Sequence, residues 1–155
     1  MSFCFAAEKT LGKLAKWLRL LGFDTTFESD ISSDKFFEHL QPERILLTKT
    51  AWVGENYSFH RHIFIESNDP RDQLTQVIRE LEIGRNETRP FSRCLRCNVE
   101  IIEVPKNAIY GKVPDYIWET NDVFQTCPRC KRIYWPGSHT KRGMERIGEL
   151  FNNKV

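Results

Sequence analysis

Four of the five cysteines in this 155-residue chain fall into two Cys-x-x-Cys pairs, Cys94-Leu-Arg-Cys97 and Cys127-Pro-Arg-Cys130. Two intervening residues permit a tight turn that aims both thiolates at one point, with backbone amides turned toward the sulfurs. Two such turns together give tetrahedral S4 coordination, the geometry of structural zinc, with Zn–S distances of about 2.3 Å. The 29 residues between the pairs exceed the roughly 15–20 of the common pattern and leave room for a hairpin or a longer loop. A closed shell of four thiolates has no open position for water, so the expected Zn²⁺ is structural. Two disulfides would need an oxidising compartment, and a redox pair would normally occur once. Cys4 stands apart, in a candidate strand where a small apolar thiol fits.

A second set of residues is acidic. Glu8 follows a short apolar run, Asp30 and Asp34 follow another, and Glu66 and Asp69 follow a third. In an open parallel sheet, ligands bind beyond the carboxyl ends of the strands. Carboxylates gathered there could hold Mg²⁺ or Mn²⁺ for phosphodiester hydrolysis. Acids at helix starts also serve as caps and dipole partners, so position alone leaves both roles open. His60 and His62 alternate before a strand, where loop histidines without function are common. Tyr134-Trp-Pro-Gly-Ser-His139 follows the second cysteine pair amid Arg129, Lys131, Arg132, Lys141 and Arg142. Aromatic and cationic side chains so mixed could stack bases and contact phosphates. Tyr134 and Trp135 could equally pack the cysteine-bearing part against the rest.

The elements that must position these residues can be read from periodicity. Residues 3–7 form a candidate buried strand. Leu11, Leu14, Ala15, Leu18 and Leu21 recur at helical spacing over 10–21, with Lys13, Lys16 and Arg19 assigned to the opposite face. Gly22 suits the left-handed turn that ends such a helix. Phe23, Thr25 and Phe27 alternate as in a strand. Ser32 or Ser33 can cap a helix through Leu40. Strands are expected at Arg44–Thr48 and Ile63–Glu66. Asn68-Asp-Pro70 opens a helix whose apolar face is Leu74, Val77, Ile78 and Leu81, with Gly84 expected to close it. From about residue 85 the chain turns polar, then reads as short strands and turns, with a final helix over 140–152. Strands alternating with helices predict a parallel α/β sheet flanked by helices. A Cys4 zinc ribbon and a C-terminal helix follow it. We place the domains at 1–88 and 89–155.

Bulk properties restrict the class. Hydrophobic residues make up 40% and charged residues 28%, the composition of a soluble globular protein. No apolar run approaches the about 20 residues that span a bilayer, so no membrane role is expected. The first residues lack a basic region before a long apolar stretch, which argues against a secretory signal and for the cytoplasm. Net charge is −3 over residues 1–84 and +5 over 85–155. That asymmetry suggests a nucleic-acid partner for the basic half, or a solvated basic surface with no partner.

Several segments together resemble one family. They are Leu11-Gly-Lys-Leu-Ala-Lys-Trp-Leu-Arg-Leu-Leu-Gly-Phe-Asp-Thr25, Arg44-Ile-Leu-Leu-Thr-Lys49, Asp72-Gln-Leu74, Cys94-Leu-Arg-Cys-Asn98 and Cys127-Pro-Arg-Cys-Lys-Arg-Ile-Tyr-Trp-Pro-Gly-Ser-His139. In this order they resemble the Mut7-C RNase domain family. The resemblance implies a PIN-like α/β nuclease fold with a C-terminal zinc ribbon and metal-dependent RNA cleavage. The family's acid after the first strand falls on Glu8, where the family has aspartate. The acid near the second helix start falls on Asp34, with Asp30 as the second choice. The acid closing its Leu-Thr-Arg-Asp motif falls on Thr50, since this chain reads Leu47-Thr-Lys-Thr50. The resemblance further implies RNA as partner, free or as ribosome or tRNA. Lys13, Lys16, Arg19, Lys49, Arg132, Tyr134, Trp135, His139 and Arg142 are the residues expected to contact it. A catalytically impaired RNA- or ribosome-binding module is the alternative, because threonine supplies no anionic ligand.

Overall fold

A computed structural model describes residues 2–57 and 60–152. Four short strands, β1 (Cys4–Ala7), β2 (Asp24–Phe27), β3 (Ile45–Thr48) and β4 (His62–Phe64), form a parallel sheet in the order β2-β1-β3-β4. Registers are direct: Ala7 pairs with Phe27 and with Leu47, and Thr48 pairs with Phe64. Parallel neighbours need crossovers. These are supplied by α1 (Gly12–Leu20), α2 (Ser33–Glu38) and α3 (Ala51–Asn56). The period-2 alternation of the strands sends their side chains to two cores. Phe5, Ala7, Ile45, Leu47 and Ile63 face one side, against α1 and α4 (Pro70–Glu80). Ala6 and Leu46 face the other, with Phe36 of α2 and Val53 of α3. The α/β class, the parallel sheet and the flanking helices are therefore as expected from the alternation of elements.

The helices obey local chemistry. α1 follows a single 3-10 turn over Lys9–Leu11 and buries Leu14, Ala15 and Leu18. It ends at Gly22, whose φ of +94° and whose approach to the Arg89 carbonyl leave no room for a Cβ, which would lie 2.5 Å from that oxygen. α4 starts as expected: the Asp69 carboxylate accepts the Arg71 N–H at 2.8 Å, and Pro70 sits in the first turn. Its end differs. Glu82 takes the left-handed conformation with φ 51°, while Gly84 has an extended ψ and opens a 3-10 turn over Arg85–Glu87. Helix α3 carries no apolar stripe in the sequence: it is six residues long, and Val53 alone is buried among its described side chains. His60 and His62 serve the fold: His60 Nε2 donates to Arg44 O at 2.6 Å, and His62 Nδ1 donates to His60 O at 2.8 Å.

The second half builds a three-stranded antiparallel sheet, β5 (Ile102–Val104), β6 (Phe124–Thr126) and β7 (Ile133–Tyr134). A short helix α5 (Asp115–Thr120) lies between β5 and β6, and Ile109, Val113 and Phe124 form a small separate core. The final helix, α6 (Ser138–Asn152), starts two residues earlier than its apolar pattern indicated. It returns to the sheet: Ile147 is fully buried in the same core as Phe5 and Leu18, with Phe91, Leu150 and Phe151 packed around it. No helix among the described residues is long and apolar enough to cross a membrane.

Candidate active-site crevice and cysteine centre

Strand order reverses between β1 and β3: the chain leaves β1 toward β2 on one side, then crosses to β3 on the other. In such a sheet the ligand crevice opens at the carboxyl ends of those two strands. Glu8 follows β1 there, and Lys49-Thr50 follows β3. Glu8 is only 4% exposed. Its Oε1 accepts the Lys49 N–H at 2.8 Å and the Thr10 hydroxyl at 2.6 Å. Thr50 Oγ1 donates to Glu8 and lies 3.1 Å from Oε2. A turn in which Thr50 N–H donates to Thr48 Oγ1 at 3.0 Å holds Thr50 in this place.

A candidate acid that the sequence reading did not single out stands just past the neighbouring strand. Glu28 follows β2 as Glu8 follows β1, is 5% exposed, and accepts the Lys9 N–H at 2.8 Å through Oε2. The available signal is positional, an acid directly after a strand. Neither glutamate forms an ion pair among the described residues. Among the described residues, these two buried carboxylates at adjacent strand ends accept only from N–H and O–H donors.

The other expected acids are more exposed. Asp30 is 48% exposed at its side chain and paired with Arg19 at 3.0 Å. Asp34 is exposed in the first turn of α2. Among the described residues, the four cysteines are the only group of three or more metal-ligating side chains with ligand atoms all within 4.8 Å of one another. Mg²⁺ keeps several waters and takes one or two carboxylates. Glu8 and Glu28 are the buried carboxylates at the strand ends that could serve as such ligands.

Cys94, Cys97, Cys127 and Cys130 fit zinc closely. Zn–S bonds of about 2.3 Å in a tetrahedron set sulfurs about 3.8 Å apart, and Cys94 Sγ lies 3.8 Å from Cys130 Sγ. The two knuckles repeat each other. Cys97 N–H and Cys130 N–H donate to Cys94 Sγ and Cys127 Sγ, both at 3.4 Å. Asn98 N–H and Lys131 N–H donate to the Cys94 and Cys127 carbonyls, both at 2.9 Å. Asn98 and Lys131 each take a left-handed φ, 60° and 65°. Burial pushes the Cys94 thiol up, but the Tyr134 hydroxyl and nearby amide donors outweigh it and bring it down to about 6. Tyr134 OH donates to Cys94 Sγ at 3.1 Å. Its phenol is correspondingly held above its ordinary range, by burial first and then by that bond.

The first knuckle is fastened to the sheet. Asn98 Oδ1 accepts Thr25 N–H at 2.9 Å, and its Nδ2 donates to Asp24 Oδ1 at 2.7 Å. Arg19, expected on the solvent face of α1, is 5% exposed. It lies one helical turn beyond buried Ala15, which turns it inward. Its Nε donates to Thr25 O at 2.9 Å, Nη1 to Leu95 O at 2.8 Å, and Nη2 to Asp30. Arg19 is thus an internal clasp between α1, β2 and the knuckle.

The remaining residues expected to contact RNA fall in several places. Lys13, Lys16, Arg132, His139 and Arg142 are exposed. Lys49 reaches over β4, donating through Nζ to Ser67 O at 3.0 Å. Trp135 is half-buried and packs on the ribbon core. With His139, Leu20 and Phe91 it also lines a mainly apolar cleft of about 410 Å³ between the ribbon and α6.

No curated protein and no solved structure matches the chain. One family does, over residues 4–147, a span that takes in the acidic crevice, both knuckles and most of α6. The chain therefore belongs to the Mut7-C RNAse domain family.

Proposed function

We propose that the protein is a divalent-metal-dependent ribonuclease that hydrolyses RNA phosphodiester bonds at the crevice between β1 and β3, with a zinc-stapled ribbon as part of its RNA-binding surface. The observation that carries this is the buried, cation-free Glu8 carboxylate at the switch point of the sheet, with Glu28 buried at the end of the next strand, in a chain of an RNAse domain family. Glu8 is the central ligand for Mg²⁺ or Mn²⁺. Glu28 is the partner that burial and strand pairing support, ahead of Asp34 and Asp30. Such an ion would supply the charge stabilisation that a transferring phosphoryl group needs. The chain's own residues would hold and orient it: the Lys49 N–H and the Thr10 hydroxyl fix one Glu8 oxygen, and Thr50 lies within reach of both. Lys13, Lys16, Arg132, His139 and Arg142 would contact phosphates or bases, while Zn²⁺ would hold the ribbon without touching the reaction.

The test is cleavage of single-stranded RNA with and without Mn²⁺. Glu8→Gln is expected to lower the rate by about 10²-fold or more, the scale on which removing a charge-stabilising group acts. Glu28→Gln and Asp34→Asn then separate the second ligand. Loss in the first alone assigns Glu28; loss in the second alone assigns Asp34. Undiminished cleavage by Glu8→Gln would remove the crevice from the reaction.

A second reading rests on Thr50. Its hydroxyl, not a carboxylate, meets Glu8, and this favours an RNA- or ribosome-binding module on a nuclease scaffold. An inert wild type made active by Thr50→Asp would decide for that reading. A cytoplasmic location and a ribosomal or tRNA target belong with either reading.

A further inference from the structure

Two open clefts, of about 560 Å³ and about 500 Å³, lie side by side along α1 and share Lys13, Lys16 and Leu95. Together they make one trough at the junction of sheet domain and ribbon. Besides Arg19, which is engaged with Asp30 and the knuckle carbonyls, six cations line it: Lys13 and Lys16 from α1, Arg71 from α4, Arg96 and Arg132 from the knuckles, and Arg146 from α6. All six are exposed. None is ion-paired with a carboxylate among the described residues. The two carboxylates in the trough are already engaged, Asp30 by Arg19 and Asp69 by the start of α4. Between the cations the lining is apolar: Trp17, Leu20 and Leu95 in one cleft and Phe27 in the other.

We propose that this trough binds a single-stranded stretch of RNA, its phosphates on the six cations and its bases against the apolar lining. The inference rests on the reading of the protein as RNA-directed and adds the path and the strandedness. A duplex offers phosphates but keeps its bases stacked inside, so it has no use for apolar surface set among cations. An unpaired strand uses both. The first cleft is lined by Gly12, at the start of α1, and by Phe27, the residue before Glu28, so the trough lies on the side of the molecule where β1 and β2 end. Arg19 donates to the Leu95 and Arg96 carbonyls and so helps hold the knuckle on α1, where Arg96 and Lys16 line the same cleft.

The experiment uses the zinc-loaded full chain without added magnesium or manganese. A fluorescently labelled oligouridylate is titrated by anisotropy across roughly 50–200 mM salt, since each phosphate contact on a single strand contributes about −0.7 to the slope of log K against log salt. Six contacts give a slope of about −4. The double variant Lys13→Ala, Lys16→Ala and the double variant Arg96→Ala, Arg132→Ala should each flatten it by about 1.4 and weaken binding. An RNA duplex of the same length should bind more weakly than the single strand. Wild-type slopes in the Arg96→Ala, Arg132→Ala protein, or preference for the duplex, would overturn the trough while leaving the nuclease reading intact. A wild-type protein that neither binds nor cleaves any RNA would overturn both.

Discussion

At the scale of single residues, the crevice is decided by what meets Glu8. Thr50 Oγ1 stands 3.1 Å from its Oε2. Thr50→Asp would set two carboxylates in contact, and without a cation two such groups cannot both ionise. We expect the variant to melt below wild type in metal-free buffer and to regain that loss on addition of Mn²⁺. A melting temperature indifferent to Mn²⁺ would speak against divalent-ion binding at Glu8. Asp24 gives a different prediction. Burial raises its carboxyl, but Arg44, at 2.9 Å, and Asn98 outweigh that and hold it below the usual range. A folded-state value below the unfolded value of about 3.9 means stability that is present above pH 4 and is lost as pH falls through the folded value. Urea denaturation from pH 6 down to about pH 3 should show Asp24→Asn with a flatter acid limb than wild type.

At the scale of elements, each knuckle is a turn whose left-handed residue can be judged on sterics. Asn98 tolerates φ 60° through its short polar side chain, whereas Lys131 at φ 65° carries the Cβ penalty of about 1 kcal/mol. Asn98 also covers the edge of β2 with two hydrogen bonds. Asn98→Ala is expected to cost about 1–3 kcal/mol, because the Thr25 N–H and the Asp24 carboxylate lose a partner together. Chemical denaturation checks this. A change below a few tenths of a kcal/mol would mean that water replaces the amide at no cost. Gly22→Ala should be worse for its size than most surface changes. A φ of +94° and the Arg89 carbonyl at 2.5 Å from the added Cβ leave the turn no adjustment that preserves the Arg89 N–H to Leu21 O bond at 2.8 Å.

At the scale of the molecule, sheet domain and ribbon are joined by more than a linker. Arg19 and Asn98 fasten the first knuckle to β2, and α6 inserts Ile147 into the core beneath α1. We propose that the halves divided at residue 88 melt as one unit. Stripping the metal with a chelator, or Cys130→Ser, should then lower hydrogen-exchange protection of β1 and β2 amides as well as ribbon amides. A chain cut after residue 88 should be poorly folded, because it loses Ile147 and the residues packed around it. Full β1 protection in the chelated protein would show two independent domains.

Much of this was legible in the order of residues. The cysteine pairs, the 3.6-residue stripe of α1, the Asx-Pro start of α4 and the strand runs all follow from local spacing, so the α/β class and the metal-capable cluster could be read without coordinates. Glu8 as an acid directly after a buried strand was a positional signal too. What local spacing does not carry is which neighbours meet. Glu28 comes to the strand end next to that of Glu8 only because β2 pairs with β1, and Arg19 is a clasp, not a surface cation, only because the knuckle's carbonyls come within reach of α1. The C-terminal helix joined the sheet's core instead of the ribbon's for the same reason. Periodicity shows that a helix has an apolar face, while the surface that covers that face is chosen by packing between segments far apart in sequence.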